Sequence, residues 1–290
     1  MKNILYSSPF SFYWSLVIGH LSLTPMDSLF IRASTGEIKY LSMNEPARDT
    51  LVQMGEKAVP YLIGQLQTKD ARERQTLIEI LKKIKGPAVH PLMEYVEKDP
   101  NRESSFLAVH ILGKIGEEAR PAVPLMMGLV SHPKWRMRLA ACEALGEIGD
   151  LRAVEPLEKA LEDSVFLVRK GAVFGMVKIG NPQSIEALIR VLQDDSYTVR
   201  HPATEALVKF GKSSIPFLIK TLHERDPLSR SLACVALGKI GDPRVTKSLK
   251  RMLKDEDWGV RLSAGESLRN LGKKDFSITG SPIGQRFSSE

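Results

Sequence analysis

The sequence predicts an all-α fold, a right-handed solenoid of helix pairs (an α-α superhelix) stacked in single file. Three observations predict it. A glycine-closed motif returns about every 31 residues, most clearly at Ala144–Asp150, Ala236–Asp242 and Ile111–Glu117. Ahead of each glycine, apolar residues recur one, four and eight positions back, which is a single stripe at helical spacing. A proline-headed apolar segment precedes each such stripe. A fixed period of this size marks a stacked-repeat protein, in which each unit buries its apolar side only against its neighbours.

The closing glycines are Gly55, Gly116, Gly149, Gly180, Gly211, Gly241 and Gly272, with Lys85-Gly86 filling the remaining slot. Eight residues ahead stand Ala108, Ala141, Ala172, Ala203, Ala233 and Ala264, small enough to let neighbouring helices approach. Four ahead stand Leu112, Leu145, Met176, Leu207, Leu237 and Leu268. One ahead stand Ile115, Ile148, Ile179, Phe210, Ile240 and Leu271. Glycine then supplies the left-handed conformation that ends a helix. The other helix of each unit is expected to open at Pro60, Pro91, Pro124, Pro156 or Pro216, since proline is tolerated in a first turn. This spacing gives a leading half-unit near 44–55 and seven full pairs across 58–272, within a repeat region of 44–272.

The flanks follow other rules. Lys2 precedes an interrupted apolar stretch from Phe10 to Leu23, so residues 1–25 read as a signal or anchor segment, a disordered extension, or a cap on the first repeat. Cytoplasmic and exported locations both stay open on that account, and membrane attachment would require 1–25 to be an uncleaved anchor. Residues 26–43 alternate loosely around Ser34-Thr35-Gly36, as a linker or a small hairpin would. Residues 273–290, with Gly280, Pro282 and Gly284 among serines, read as a mobile tail.

Composition is that of an ordinary soluble fold, 43% hydrophobic and 26% charged. The formal charge of +7 permits an acidic partner but falls short of the clustered basicity of a nucleic-acid binder. Cys142 and Cys234 occupy the same slot three repeats apart, too far for a disulfide, and are expected as unpaired core residues.

The arrangement resembles the short HEAT-like repeats first known from phycobilisome lyases. The residues carrying the resemblance are the AVPxL openings, the Asp-x5-Arg element and the AxxALGxIGD closings. Asp163 and Arg169, Asp194 and Arg200, and Asp255 and Arg261 stand six apart, with Glu224 and Arg230 as a near copy. Each acid, at the inter-helix turn, can accept N–H bonds at the start of the second helix. Each arginine can reach its own acid or that of the next repeat; by resemblance, the set forms a ladder tying repeats together. His132 ahead of Arg138, and Ser105 in an arginine slot, should weaken it there.

Binding is expected on the face lined by the second helices. Away from the apolar stripe this face presents Glu79, His110, Glu143, Phe174, Glu205 and Glu266 in one row. A second row holds Lys83, Lys114, Glu147, Lys178, Lys209 and Lys239. Pairs such as Glu205–Lys209 fit i,i+4 stabilisation of solvated helices, and Phe174 fits an apolar anchor. No HExxH, zinc-ligand spacing, phosphate loop or GxSxG elbow occurs. Deoxyhypusine hydroxylases, built from similar repeats, hold two irons through several His-Glu pairs, and only His223-Glu224 matches here. Bilin lyase subunits share the repeat and offer an alternative function. HEAT-like DNA glycosylases are disfavoured by Glu143, Glu205 and Glu266, which would repel a phosphate backbone. The expectation is a non-catalytic scaffold for a protein ligand, without cofactor or metal.

Overall fold

The computed structural model describes residues 24–35 and 41–273, and the described residues are helical with no strand among them. The expectations for residues 1–23, and for the tail beyond 273, lie outside the described residues. No described helix is long and apolar enough to cross a membrane. The chain divides into two compact units, 1–84 and 85–290.

The first unit contains α1 (Pro25–Ser34), α2 (Leu41–Met54), α3 (Val59–Gly64) and α4 (Ala71–Ile84). Residues 26–34, expected as part of a linker or small hairpin over 26–43, lie instead in helix α1, and 36–40 lie outside the described residues. Thr24 and Asp27 form a capping box, the Asp27 N–H donating to Thr24 Oγ1 at 3.2 Å and the Thr24 N–H to Asp27 Oδ2 at 2.8 Å. Pro25 in the first turn completes a start signal that outweighs the weak alternation downstream. Phe30 and Ala33 are buried, and the Phe30 ring meets Tyr61 edge-on at 6.2 Å.

The second unit holds six helix pairs: α5 (Gly86–Lys98) with α6 (Glu103–Ile115), α7 (Val123–Leu129) with α8 (Trp135–Ile148), and α9 (Val154–Ala160) with α10 (Phe166–Ile179). They continue as α11 (Ile185–Arg190) with α12 (Tyr197–Phe210), α13 (Ile215–Thr221) with α14 (Pro227–Ile240), and α15 (Thr246–Met252) with α16 (Trp258–Asn270). Successive second helices pack in order, α6 on α8 through to α14 on α16. The second unit is therefore an all-α superhelix by local construction, each pair burying its stripe on the next.

The stripe is buried as its spacing demands. The alanines eight before the glycine and the Leu or Met four before it are fully buried in every pair of this unit. The position one before is less protected: Ile115 and Ile148 are buried, whereas Ile179, Phe210 and Ile240 are partly exposed at the helix end. Cys142 and Cys234 are buried free thiols, and burial pushes each pKa up to about 12.

First helices are shorter than the proline reading implied. In most pairs a 3₁₀ turn precedes six or seven α-helical residues, as at Leu151–Ala153 before α9 and Pro243–Val245 before α15. Asp150, Asn181 and Asp242 begin these turns by accepting the N–H two residues on. Pro91 departs from the expectation altogether. It lies inside α5, which begins at Gly86 with Pro87 in its first turn. Lys85 takes the closing-glycine slot with φ of 63°, and it is the one described non-glycine residue with positive φ.

A groove on the second helices

Glycine inside a helix destabilises it by roughly 0.5–1 kcal/mol relative to alanine, so helical glycines facing a neighbour call for a reason. Here the reason is close approach. A Cβ added to Gly113 on α6 would lie 2.8 Å from the Ala144 Cα on α8. One added to Gly146 would lie 2.5 Å from the Gly175 Cα on α10. The backbones of α6, α8 and α10 thus nearly touch and form the floor of an open groove of about 350 Å³.

The walls come from the two outward rows of the same helices: His110 and Lys114 from α6, Glu143 and Glu147 from α8, Phe174 and Lys178 from α10. Half of the sequence-expected face is thereby gathered in one place. Glu147 is the centre of its charge network, accepting from Lys114 Nζ at 3.1 Å and from Lys178 Nζ at 2.6 Å. Burial alone would raise its pKa, but the two ammonium groups outweigh that and lower it. Glu143 is raised instead, because the surrounding walls limit hydration of its carboxylate and Glu147 adds repulsion, with Lys114 opposing. His110 is lowered, first by burial and then by Lys114, so it is neutral at physiological pH. Phe174 is 46% exposed, with Lys170 Nζ 5.6 Å from its ring centroid.

The other expected face residues lie elsewhere. Glu79 and Lys83 belong to the first unit, where they pair with Arg48 and Asp49 at 2.7 and 3.5 Å. Glu205, on α12, pairs with Lys239 of the next second helix rather than with Lys209 four residues on, which corrects the i,i+4 expectation. The close stacking of second helices brings the neighbour's lysine within reach of the carboxylate. Lys209 and Glu266 are exposed, with no ion pair among the described residues. The spacing of the groove walls was readable in the sequence, while its floor was missed. Gly113 and Gly146, each three residues before a closing glycine, were the available signal.

On the opposite end of the second helices, the ladder connects forward. Arg169 Nη2 donates to Asp194 Oδ1 at 2.9 Å, Arg230 Nη2 to Asp255 Oδ1 at 2.8 Å, and Arg138 Nη2 to Asp163 Oδ1 at 2.8 Å. Each of these arginines also donates to carbonyl oxygens of its own turn, as Arg169 does to Asp163 O at 2.8 Å. The acids accept the N–H two residues on, fixing the start of the next helix. Arg138 is a full rung, so the expected weakness beside His132 does not extend forward of it; His132 supplies a carbonyl to Arg138 and its Nδ1 to the Lys134 N–H. Arg200 finds only the carbonyls of Asp194 and Asp195, and Glu224 is exposed, so that rung is missing. Arg261 donates to the carbonyls of Asp255 and Glu256 and lies over the Trp258 ring at 5.6 Å.

Among the described residues no group of three or more His, Cys, Asp or Glu could hold a metal ion. His223 and Glu224, the one His-Glu match, are both exposed.

A model of HEAT repeats matches residues 89–175, 163–223 and 215–276, nearly two-thirds of the sequence. The chain belongs to the HEAT-repeat family. No curated protein matches it. Among solved structures, this HEAT-repeat chain is similar to the karyopherin Kap121p bound to the SUMO protease Ulp1p, at 15% identity and a TM-score of 0.55. That match covers 85% of this chain and 33% of the karyopherin. The CpcE–CpcF complex of phycocyanin lyase from Nostoc sp. matches at 22% identity and a TM-score of 0.43, covering 74% of this chain and 88% of that one. Human deoxyhypusine hydroxylase matches at 21% identity and a TM-score of 0.36, covering 85% and 96%. At these identities the likeness is one of fold alone.

Proposed function

We propose that this HEAT-repeat chain is a non-catalytic scaffold that binds a protein ligand on the face of its second helices, centred on the α6–α8–α10 groove. The observation that carries the reading is the groove itself. It is open, its floor is bare backbone, and its walls are charged side chains with one exposed aromatic ring. Sites for small molecules enclose most of their ligand's surface, which this open groove does not. An open, charge-walled groove with a single anchor suits side chains projecting from a protein surface, with aromatic contacts carrying much of the affinity. Kap121p, solved with a protein bound, is a precedent for the fold in that role.

The test is affinity capture from the source cells with the full chain, comparing the parent with Phe174→Ser/Lys178→Glu. Both positions are exposed, so thermal unfolding should move little, and capture should fall by about tenfold or more. Undiminished capture by a folded double variant would remove the groove from the binding site.

A further inference from the structure

Each second helix of the second unit meets the next through one recurring pair of positions. The residue three before a closing glycine stands in register with the residue five before the following one. At three of these interfaces the first residue is itself glycine, and a Cβ added there would strike backbone. Gly113 and Gly146 do so against Ala144 and Gly175, and Gly238 on α14 does so 2.7 Å from the Ser267 Cα on α16. The other two interfaces carry valine in that place: Val177 in register with Ala206, between α10 and α12, and Val208 with Ala236, between α12 and α14. Valine puts a branched side chain where one added carbon does not fit. Helix α12 therefore stands farther from both neighbours than the glycine-bearing helices stand from theirs.

Helix α12 is also weakened within. Pro202 lies inside it and removes the N–H that would bond the Thr198 carbonyl. Thr204 Oγ1 donates to the Arg200 carbonyl at 3.0 Å, a back-bond that bends helices.

The ladder distinguishes the two looser interfaces. Every complete rung joins an arginine to an aspartate 25 residues on, and Arg169–Asp194 ties α10 to the turn before α12 in this way. Twenty-five residues beyond Arg200 the chain carries Arg225, so a second cation takes the place of the acid. Arg200 Nη1 is held by the carbonyls of Asp194 and Asp195 at 2.6 and 2.9 Å, as its counterparts are. Its Nε and Nη2, which bond carboxylate in the complete rungs, have no partner among the described residues. Glu205 and Lys239 do pair across from α12 to α14, but both are 43% exposed, and so exposed an ion pair contributes little. Helices α14 and α16 are tied far better. They share the Arg230–Asp255 rung, a Ser231–Ser263 hydroxyl bond at 2.8 Å, and a bond from Ser267 Oγ to the Cys234 carbonyl at 2.7 Å. In a stack of repeats each pair is held only by its neighbours, so nothing distant braces a weak interface.

We infer that the α12–α14 interface is a hinge, at which the second unit flexes as two bodies, 86–210 and 215–270. The groove on α6, α8 and α10 lies wholly within the first body. Bending at the hinge changes the curvature of the second-helix face and leaves the groove walls unmoved. The hinge does not depend on what the groove binds.

Double electron–electron resonance between nitroxide labels on the full chain measures it. Glu97→Cys on α5 and Glu186→Cys on α11 span three pairs within the first body, and Glu155→Cys on α9 and Lys250→Cys on α15 span three pairs across the hinge. All four positions are exposed, whereas Cys142 and Cys234 are buried and protonated, so labelling falls on the introduced thiols. The crossing pair should give a distance distribution about twice as broad as the other. Arg225→Asp supplies the missing carboxylate. It should narrow the crossing distribution to the width of the other and slow amide exchange in α12 and α14 by about tenfold. With Arg200→Ala also present, Arg225→Asp should do neither. Equal widths in the parent chain would overturn the hinge. Narrowing that persists without Arg200, or fails to appear with it, would overturn the missing rung as its cause.

Discussion

Replacing Asp255 by alanine should be among the most damaging single changes outside the apolar core. The Arg230 and Asp255 side chains are only 7% and 8% exposed, so the pair is shielded from water on nearly all sides. Arg230 Nε and Nη2 bond both carboxylate oxygens, at 2.9 and 2.8 Å, and Nη1 is spent on the carbonyls of Glu224 and Arg225. Removing the carboxylate leaves a buried guanidinium without its counter-charge, a loss of about 3–5 kcal/mol. The guanidinium keeps the carbonyls of Glu224 and Arg225 as acceptors, which places the expectation near 3 kcal/mol. Glu224→Ala alters the same sequence element in another repeat, but its carboxylate is exposed and holds no rung, so it should change stability by less than about 0.5 kcal/mol. Urea unfolding of parent and variants measures both, with native-state hydrogen exchange localising the loss, since stacked repeats need not unfold as one unit.

The pH dependence has a definite sign. Burial alone would raise the Asp255 pKa, but the bonds from Arg230 and the Asp257 N–H outweigh it, and the folded value lies below the ordinary one. Its contribution is therefore complete above the ordinary aspartate range of about 4 and is lost as the pH falls through the lowered folded value. Asp255→Ala should flatten the acid limb of the stability curve. If Asp255→Ala and Glu224→Ala cost the same, the forward rung does not tie repeats together.

Other changes test the packing. Gly146→Ala places a Cβ 2.5 Å from the Gly175 Cα and should destabilise by about 1–3 kcal/mol despite better helix propensity. Gly128→Ala, with nothing within 4 Å of the added atom, should stabilise by about 0.5–1 kcal/mol in the same urea assay. Lys85→Gly relieves a positive-φ strain of about 1–3 kcal/mol against the 0.5–1 kcal/mol entropic cost of glycine, so the urea midpoint should rise.

What the sequence made readable was whatever depends on period. The alanine and leucine positions are buried because their offsets share one helical face, and no tertiary detail can move them off it. Features that depend on which neighbour is nearer were not readable. Asp-x5-Arg gave the right residues but left open whether an arginine pairs within its repeat, and it gave no sign that Arg200 would go without an acid. Glu205 chose Lys239 over Lys209 for the same reason, because contact between stacked helices outweighs contact along one helix. Helix α1 was missed because its signal is a local cap, Thr24 to Asp27, outside the repeating pattern. Val177 and Val208 fill the slot of Gly113, Gly146 and Gly238 with the repeat's own period. That difference gained meaning only from the close approach at those glycines.

Photo-crosslinking tests the scaffold account most directly. Benzoylphenylalanine is placed at Phe174 in the groove and, separately, at Glu186, an exposed position on first helix α11. Each chain is then irradiated with its captured partner. A crosslinked protein from position 174 and none from position 186 is the predicted result; a crosslink from 186 with none from 174 would contradict binding on the second-helix face.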